Sequence, residues 1–430
     1  MRRRARAVAR LGLLVLLLTG LSGCAGAGPA DTVTVNLAAL TDRAVPASPS
    51  ASRRILGHPG RSLAGTGSRA GTGAARAPRP AGAPAASAVT PLAPAQSARL
   101  NGISVWVPYW DLSASLASAL AHAGEIAVAH PFLQEITQTA TVVDQSGGQA
   151  AAVDAQLAAA HLQVIPTVTE TARMDAFAAT LSHPRRATAL LDALVGIAAA
   201  PHVNGIDLDF ENLAVGNGNP IAAARVATLY PVFVARLCAR LHRIGRSCEV
   251  TVMANNSAIL SGAGGLDPSV YDDAALGRAA DRVQVMAYDD HTPGGPSGPI
   301  APWPWVQSVL AYTLSEIPAD KVILGVPTYG YDWSGSSGSA STVTAAGAEA
   351  LAAAQRVPVR WDSADAEPFF AYLTGPRRHR VRHTVWFEDG TAVADRAVLA
   401  ADDHLAGIAL WAAGDEDAAT WSLLAHLRRP

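Results

Sequence analysis

The chain has 430 residues, half of them hydrophobic and 16% charged, with 37 glycines and 28 prolines. That suffices for one large globular domain or two small ones, and a net charge of −2 lacks the basic excess that a nucleic-acid partner needs. Three cysteines and no Cys/His spacing of the metal-binding kind leave neither a metal nor a cofactor to be expected. A single lysine, Lys321, stands against 32 arginines, a bias that reads as GC-rich codon usage.

Residues 1–24 read as a targeting segment. Arg2, Arg3, Arg4, Arg6 and Arg10 precede the apolar run "LGLLVLLLTGL", which is too short to span a bilayer comfortably. The run closes on "LSGC", which resembles a bacterial lipobox with Cys24 as the acylated residue. An ordinary secretory signal cut after a small residue is the alternative. Lipidation at Cys24 would hold the mature protein on the outer face of the cytoplasmic membrane. Residues 25–98 are dominated by Ala, Pro, Gly, Ser, Thr and Arg and cannot bury enough apolar surface to fold, so they read as a disordered tether. "TVTVNLAAL" near its start is a candidate short strand. Charge divides at the same boundary, +11 over residues 1–99 and −13 over the remainder. The basic tether fits codon bias and solubility, or attraction to anionic lipid or wall polymer.

From residue 100 onward short apolar runs alternate with helical stretches. The predicted strands are "GISVWVPYW" (102–110), "EIAVAHPFL" (125–133), "LQVIPTVTE" (162–170) and "VNGIDLDFE" (203–211). They continue with "CEVTVMA" (248–254), "DRVQVMAYD" (281–289), "KVILGVPTYGY" (321–331) and "GIALWAAG" (407–414). Ala/Leu-rich segments with apolar residues three and four apart lie between them. Eight strand–helix units over roughly 330 residues predict an α/β fold, a (β/α)8 TIM barrel; an open doubly wound sheet is the competitor. The long gap before the last strand predicts a small α+β insertion at about 335–395. In an exported domain Cys238 and Cys248 could be joined, tying a helix end to the next strand, or stay as two buried thiols.

In such a barrel the site lies at the C-terminal strand ends. Tyr109, Trp110, Thr167, Thr169, Asn255, Asn256, Tyr288, Asp289, Tyr329, Tyr331 and Trp411 collect there. A polar floor with aromatic walls suits a sugar. The fourth strand carries Asp207, Asp209 and Glu211 at period two, which puts all three carboxyls on one face about 6.6 Å apart. Three carboxylates converging on a barrel axis repel one another, so at least one keeps its proton near neutrality. Glu211, the last and longest, is the expected proton donor. The strands offer no obvious second acid facing it, which favours attack by the substrate's own 2-acetamido group.

At this point the sequence resembles glycoside hydrolase family 18, over essentially residues 100–430. The fourth-strand pattern D-G-x-D-x-D-x-E stands here as "NGIDLDFE", and M-x-Y-D of the sixth strand as Met286, Ala287, Tyr288 and Asp289. Trp411 matches the eighth-strand tryptophan that floors the sugar subsite. "ILGVPTYGYDW", "HTVWFEDG" and "GIALWAAG" are further similar to the branch holding spore-cortex lytic enzymes and wall glucosaminidases. The resemblance implies that Glu211 is the general acid/base, Asp209 orients the acetamide, Asp207 is a buried relay carboxylate and Tyr288 bonds the acetamide carbonyl. It also implies sugar contacts from Asp289, Met286, Tyr109, Tyr329 and Trp411. The expected activity is retaining cleavage of β-1,4 bonds beside N-acetylglucosamine, in peptidoglycan or a related wall glycan, by a monomer. A chitinase and a non-catalytic sugar-binding barrel are the rivals. Asn204 departs from the pattern's first Asp, a change expected to retune Asp207 more than abolish activity.

Overall fold

A computed structural model describes residues 100–214, 219–256, 270–335 and 337–427. Cys24, the signal segment, the tether and the candidate strand "TVTVNLAAL" lie outside the described residues.

The strands in chain order begin with β1 (Ile103–Pro108), β2 (Val128–Ile136), β3 (Val142–Asp144), β4 (Gln163–Val164) and β5 (Thr167–Glu170). Next come β6 (Gly205–Asp209), β7 (Ser247–Met253), β8 (Arg282–Met286), β9 (Val322–Pro327) and β10 (Tyr329–Ser334). The last are β11 (Ala340–Thr344), β12 (Arg360–Asp362), β13 (Glu367–Thr374), β14 (Val381–Phe387) and β15 (Gly407–Trp411). Parallel pairing runs β1–β2–β5–β6–β7–β8–β9–β15 and returns from β15 to β1, so the sheet closes into an eight-stranded barrel. All eight predicted strands are present. The third is split at Ile165 and Pro166 into β4 and β5, both against β2, because proline offers no N–H to the ladder.

The helices are α1 (Leu112–Ala121), α2 (Ala150–Ala159), α3 (Met174–Ser182), α4 (Pro184–Ala198) and α5 (Pro220–Arg243). They continue with α6 (Asp273–Ala279), α7 (Trp303–Glu316), α8 (Ala345–Gln355), α9 (Gly390–Asp402) and α10 (Thr420–Leu427). Outward-facing Ile206 and Leu208 of β6, and Phe210 just past its end, are fully buried beneath them, as expected of a strand covered on both faces. Gly205 is required where it stands. A Cβ there would lie 2.5 Å from the Ser247 carbonyl oxygen, so any side chain would push β6 off β7.

The insertion is a five-stranded antiparallel sheet, β11-β10-β14-β13-β12, with α8 packed on one face over Phe370, Tyr372, Val385 and Phe387. It starts at Tyr329, earlier than the expected residue 335. The sheet ends at Phe387, and α9 packs on β9 and β15 as a barrel helix.

Cys238 of α5 and Cys248 of β7 form a disulfide, buried on both sides. Closing so short a loop restricts the unfolded chain, so Cys238→Ser with Cys248→Ser should cost about 2–3 kcal/mol in the chain-entropy account. Urea unfolding of the double variant checks this; an unchanged midpoint would count against it.

Candidate active site

The inward row of β6 sits where its period predicts. Asp207 is fully buried and Asp209 is 3% exposed. Asp207 accepts from Thr167 Oγ1 on β5 at 2.8 Å and from Thr251 Oγ1 on β7 at 2.9 Å. Trp106 Nε1 donates to Thr167 Oγ1 at 3.2 Å, so β1, β5, β6 and β7 meet in one interior network. Below it, His130 and Glu249 approach to 3.8 Å, too far for a hydrogen bond. Burial lowers the His130 pKa and raises that of Glu249 to about 8, so this is a contact of two neutral groups and not an ion pair.

Asn204 does not belong to the row. It has the parity of Ile206 and Leu208, and its Oδ1 accepts from the Val164 backbone N–H at 2.8 Å. The first position of the pattern therefore stitches β6 to β4 rather than facing Asp207.

Glu211 stands one step beyond β6, in a turn held from two sides. Tyr271 Oη donates to the Phe210 carbonyl at 2.8 Å. Glu170, at the end of β5, accepts from Asn212 Nδ2 at 2.8 Å and from the Leu213 N–H at 3.0 Å. Glu211 keeps part of its surface open. The protein packed around its carboxyl still removes most of its hydration and raises its pKa to about 8, and the charges of Glu170 and Asp289 add to the effect. Asp209 is also raised well above the ordinary range, by burial first and then by Glu211 and Asp207. Its Oδ1 is buried without a hydrogen-bond partner among the described residues.

Glu170 and Asp289 are the two further carboxyls beside Glu211, and both are already engaged. Glu170 is 3% exposed and holds the turn. Asp289, at a left-handed φ of 66°, accepts from Tyr329 Oη at 2.5 Å and Tyr331 Oη at 2.9 Å. Tyr288 and Met286 are buried at the end of β8. Gly325 on β9 leaves room for Tyr288, since a Cβ there would come within 3.0 Å of its ring. Trp411 closes the floor, 8% exposed, with ring centroids 5.5 Å from Trp106, 6.0 Å from Trp110 and 5.1 Å from Phe132. Tyr109 lies just after β1, edge-on to Trp110 at 5.0 Å.

Thr169 donates to the Gln134 carbonyl at 3.3 Å and so braces β5 on β2. Asn255 and Asn256 follow β7, and residues 257–269 beyond them lie outside the described set. Sequence reasoning passed over Glu170, Trp106, Thr251 and His130. The usable signal for Glu170 was its place at a strand end, in the segment next to the one bearing Glu211.

A parallel barrel with a row of carboxyls at the end of its fourth strand, Asp209 and Glu211 among them raised, and a tryptophan floor has the layout of a glycosidase. The chain belongs to the glycosyl hydrolases family 18, whose model matches residues 126–417. Among curated relatives it is 34% identical over 155 residues to the glycosylase YvbX of Bacillus subtilis, covering 36% of this chain and 44% of that one. It is 34% identical over 158 residues to a cortical fragment-lytic enzyme of Bacillus anthracis, covering 36% of each. The chain thus spans less than half the length of these two relatives. A chitinase from Chromobacterium violaceum superposes with a TM-score of 0.66 at 26% identity, over 75% of this chain and 98% of that one.

Proposed function

We propose that this glycosidase cleaves β-1,4 bonds next to N-acetylglucosamine in a bacterial wall glycan, with retention, using the substrate's acetamide as nucleophile. The observation that carries the reading is the raised Glu211, at about 8, beside the buried and unsatisfied Asp209. Protonated Glu211 gives its proton to the glycosidic oxygen as the C1–O bond breaks. The acetamide oxygen attacks C1 and forms an oxazolinium ion. Asp209 accepts the acetamide N–H and balances the positive charge, and the Tyr288 hydroxyl donates to the acetamide oxygen. Glu211, now a carboxylate, takes a proton from the water that attacks C1, and the ring reopens with the β configuration. Asp207 serves as the relay carboxylate and takes up the proton of Asp209, which burial and the charges of Glu211 and Asp207 otherwise keep in place, so that Asp209 acts as an anion. Trp411, Tyr109 and Met286 pack against the sugar, and Asp289, set by Tyr329 and Tyr331, contacts its hydroxyls.

The cortical fragment-lytic relative and the "HTVWFEDG" segment favour a wall glycan. The chitinase with the same fold over nearly its whole length favours chitin as the second reading. Digesting purified peptidoglycan and chitin oligomers in parallel, with product mass and anomeric configuration recorded, separates the two. Cleavage of chitin alone would sink the wall reading.

A lipid anchor at Cys24 would place such an enzyme beside its polymer. The wild type should then partition with membranes, while Cys24→Ala should carry no acyl chain. Recovery of the wild type as a soluble species that begins at another residue would end the tether reading.

A further inference from the structure

The register of the inserted sheet fixes what one of its faces carries. Tyr331 on β10 lies opposite Trp386 on β14, Trp386 opposite Phe369 on β13, and Phe369 opposite Arg360 on β12. Opposed residues share a face, so the four make one row across the strands, about 14 Å long at ordinary strand spacing. One end of the row is tied to the candidate site, where Tyr331 bonds Asp289. In the middle Trp386 and Phe369 stack, with centroids 4.6 Å apart, and both stay partly open to solvent. At the far end Arg360 is exposed.

Beside Arg360 the sheet opens. β12 pairs only with Glu367–Phe369, so the edge of β13 from Phe370 onward has no strand against it among the described residues. A groove of about 400 Å³ lies between that edge and Val357 and Pro358, with Arg360 and Arg382 both lining it. Neither arginine has an ion-pair partner among the described residues. Leu373, 50% exposed, stands on the rim. The hairpin joining β13 to β14 adds exposed Arg377, Arg378 and Arg380. Five arginines thus gather on one part of a domain whose net charge is −13.

A concentrated positive patch on an acidic domain selects an anionic ligand. The free strand edge and the apolar rim select an extended peptide, whose backbone can pair with the edge while side chains settle on Leu373. We infer that this groove binds an acidic peptide arm carried by the glycan, with its carboxylates on Arg360 and Arg382, while the sugar chain crosses Trp386 and Phe369 toward the barrel mouth. The inference rests on the wall-glycan reading, because chitin has no peptide or carboxylate branch.

The test uses one N-acetylated wall glycan in two forms, with peptide arms intact and with arms removed by an amidase. The wild type should show a KM roughly tenfold lower on the arm-bearing form, as two charge-assisted contacts allow. Arg360→Gln combined with Arg382→Gln should erase that ratio. Equal KM values in the wild type, or a preference unaltered in the double variant, would overturn the inference. Titrating the free acidic peptide into the whole protein adds a readout that needs no cleavage. Binding should weaken with added salt and in the double variant. If the peptide binds so but no wall glycan is cut, the functional reading fails and the peptide site stands. A peptide that does not bind, or that polyphosphate displaces at equal concentration, overturns the site whatever is cleaved.

Discussion

Glu211→Gln should lower kcat by about 10²–10⁴-fold, the usual contribution of a positioned general acid, while glycan binding survives. Glutamine keeps the shape of the side chain and can still accept hydrogen bonds from a bound sugar. It has no proton to give the leaving oxygen and cannot later activate water. The pKa of about 8 adds a pH signature. The acid works protonated, so kcat/KM should hold up to about pH 8 and fall above it. Stability follows the same group with the same sign. The carboxyl's ordinary value is 4.5 and the fold raises it, so its contribution is complete below pH 4.5 and is lost as pH climbs through about 8. Glu211→Gln should therefore gain stability relative to wild type in alkaline buffer. Turnover by the variant at the wild-type rate, on any substrate the wild type cleaves, would remove Glu211 from the mechanism.

The acid row was legible in the sequence because strand parity is visible there. Asp207, Asp209 and Glu211 alternate with Ile206, Leu208 and Phe210, and that alternation alone assigns inside and outside. The same rule puts Asn204 on the outward parity, so its departure from the family pattern bears on strand pairing and not on the row. Contacts between distant strands were not legible. Glu170 meets Asn212 and Leu213 across more than forty residues of chain, and no local pattern announces that clamp. His130 and Glu249 lie on strands that are not neighbours in the sequence, and only the folded barrel brings them together. The start of the insertion was hidden by the aromatic continuity of "VPTYGYDW". The chain leaves the barrel at Pro327, passes Thr328 and enters β10 at Tyr329, so proline was the signal that could have marked the exit.

Asp209→Asn should be almost as severe, about 10²–10³-fold in kcat, the range seen when one preorganised electrostatic partner of a developing charge is removed. Its Oδ1 is buried without a hydrogen-bond partner among the described residues, and in the proposed mechanism an acetamide N–H fills that role. An asparagine could still accept that bond, but it carries no charge to balance an oxazolinium ion. The variant should consequently lose kcat far more than it raises KM, which separates charge stabilisation from simple binding. The same chemistry makes a demand on the substrate. A glycan stripped of its N-acetyl groups has no internal nucleophile, so it should be almost inert even where it binds. Tyr288→Phe should act in the same direction but less strongly, because the ring still fills its place beside Gly325. Products of the intact substrate should keep the β configuration, since the ring opening reverses the inversion of the first step. Inverted products, or equal rates on acetylated and de-acetylated chains, would rule out the acetamide as nucleophile. Glu170 or Asp289 would then have to leave its present hydrogen bonds, to activate water if the products are inverted or to attack C1 itself if they are retained.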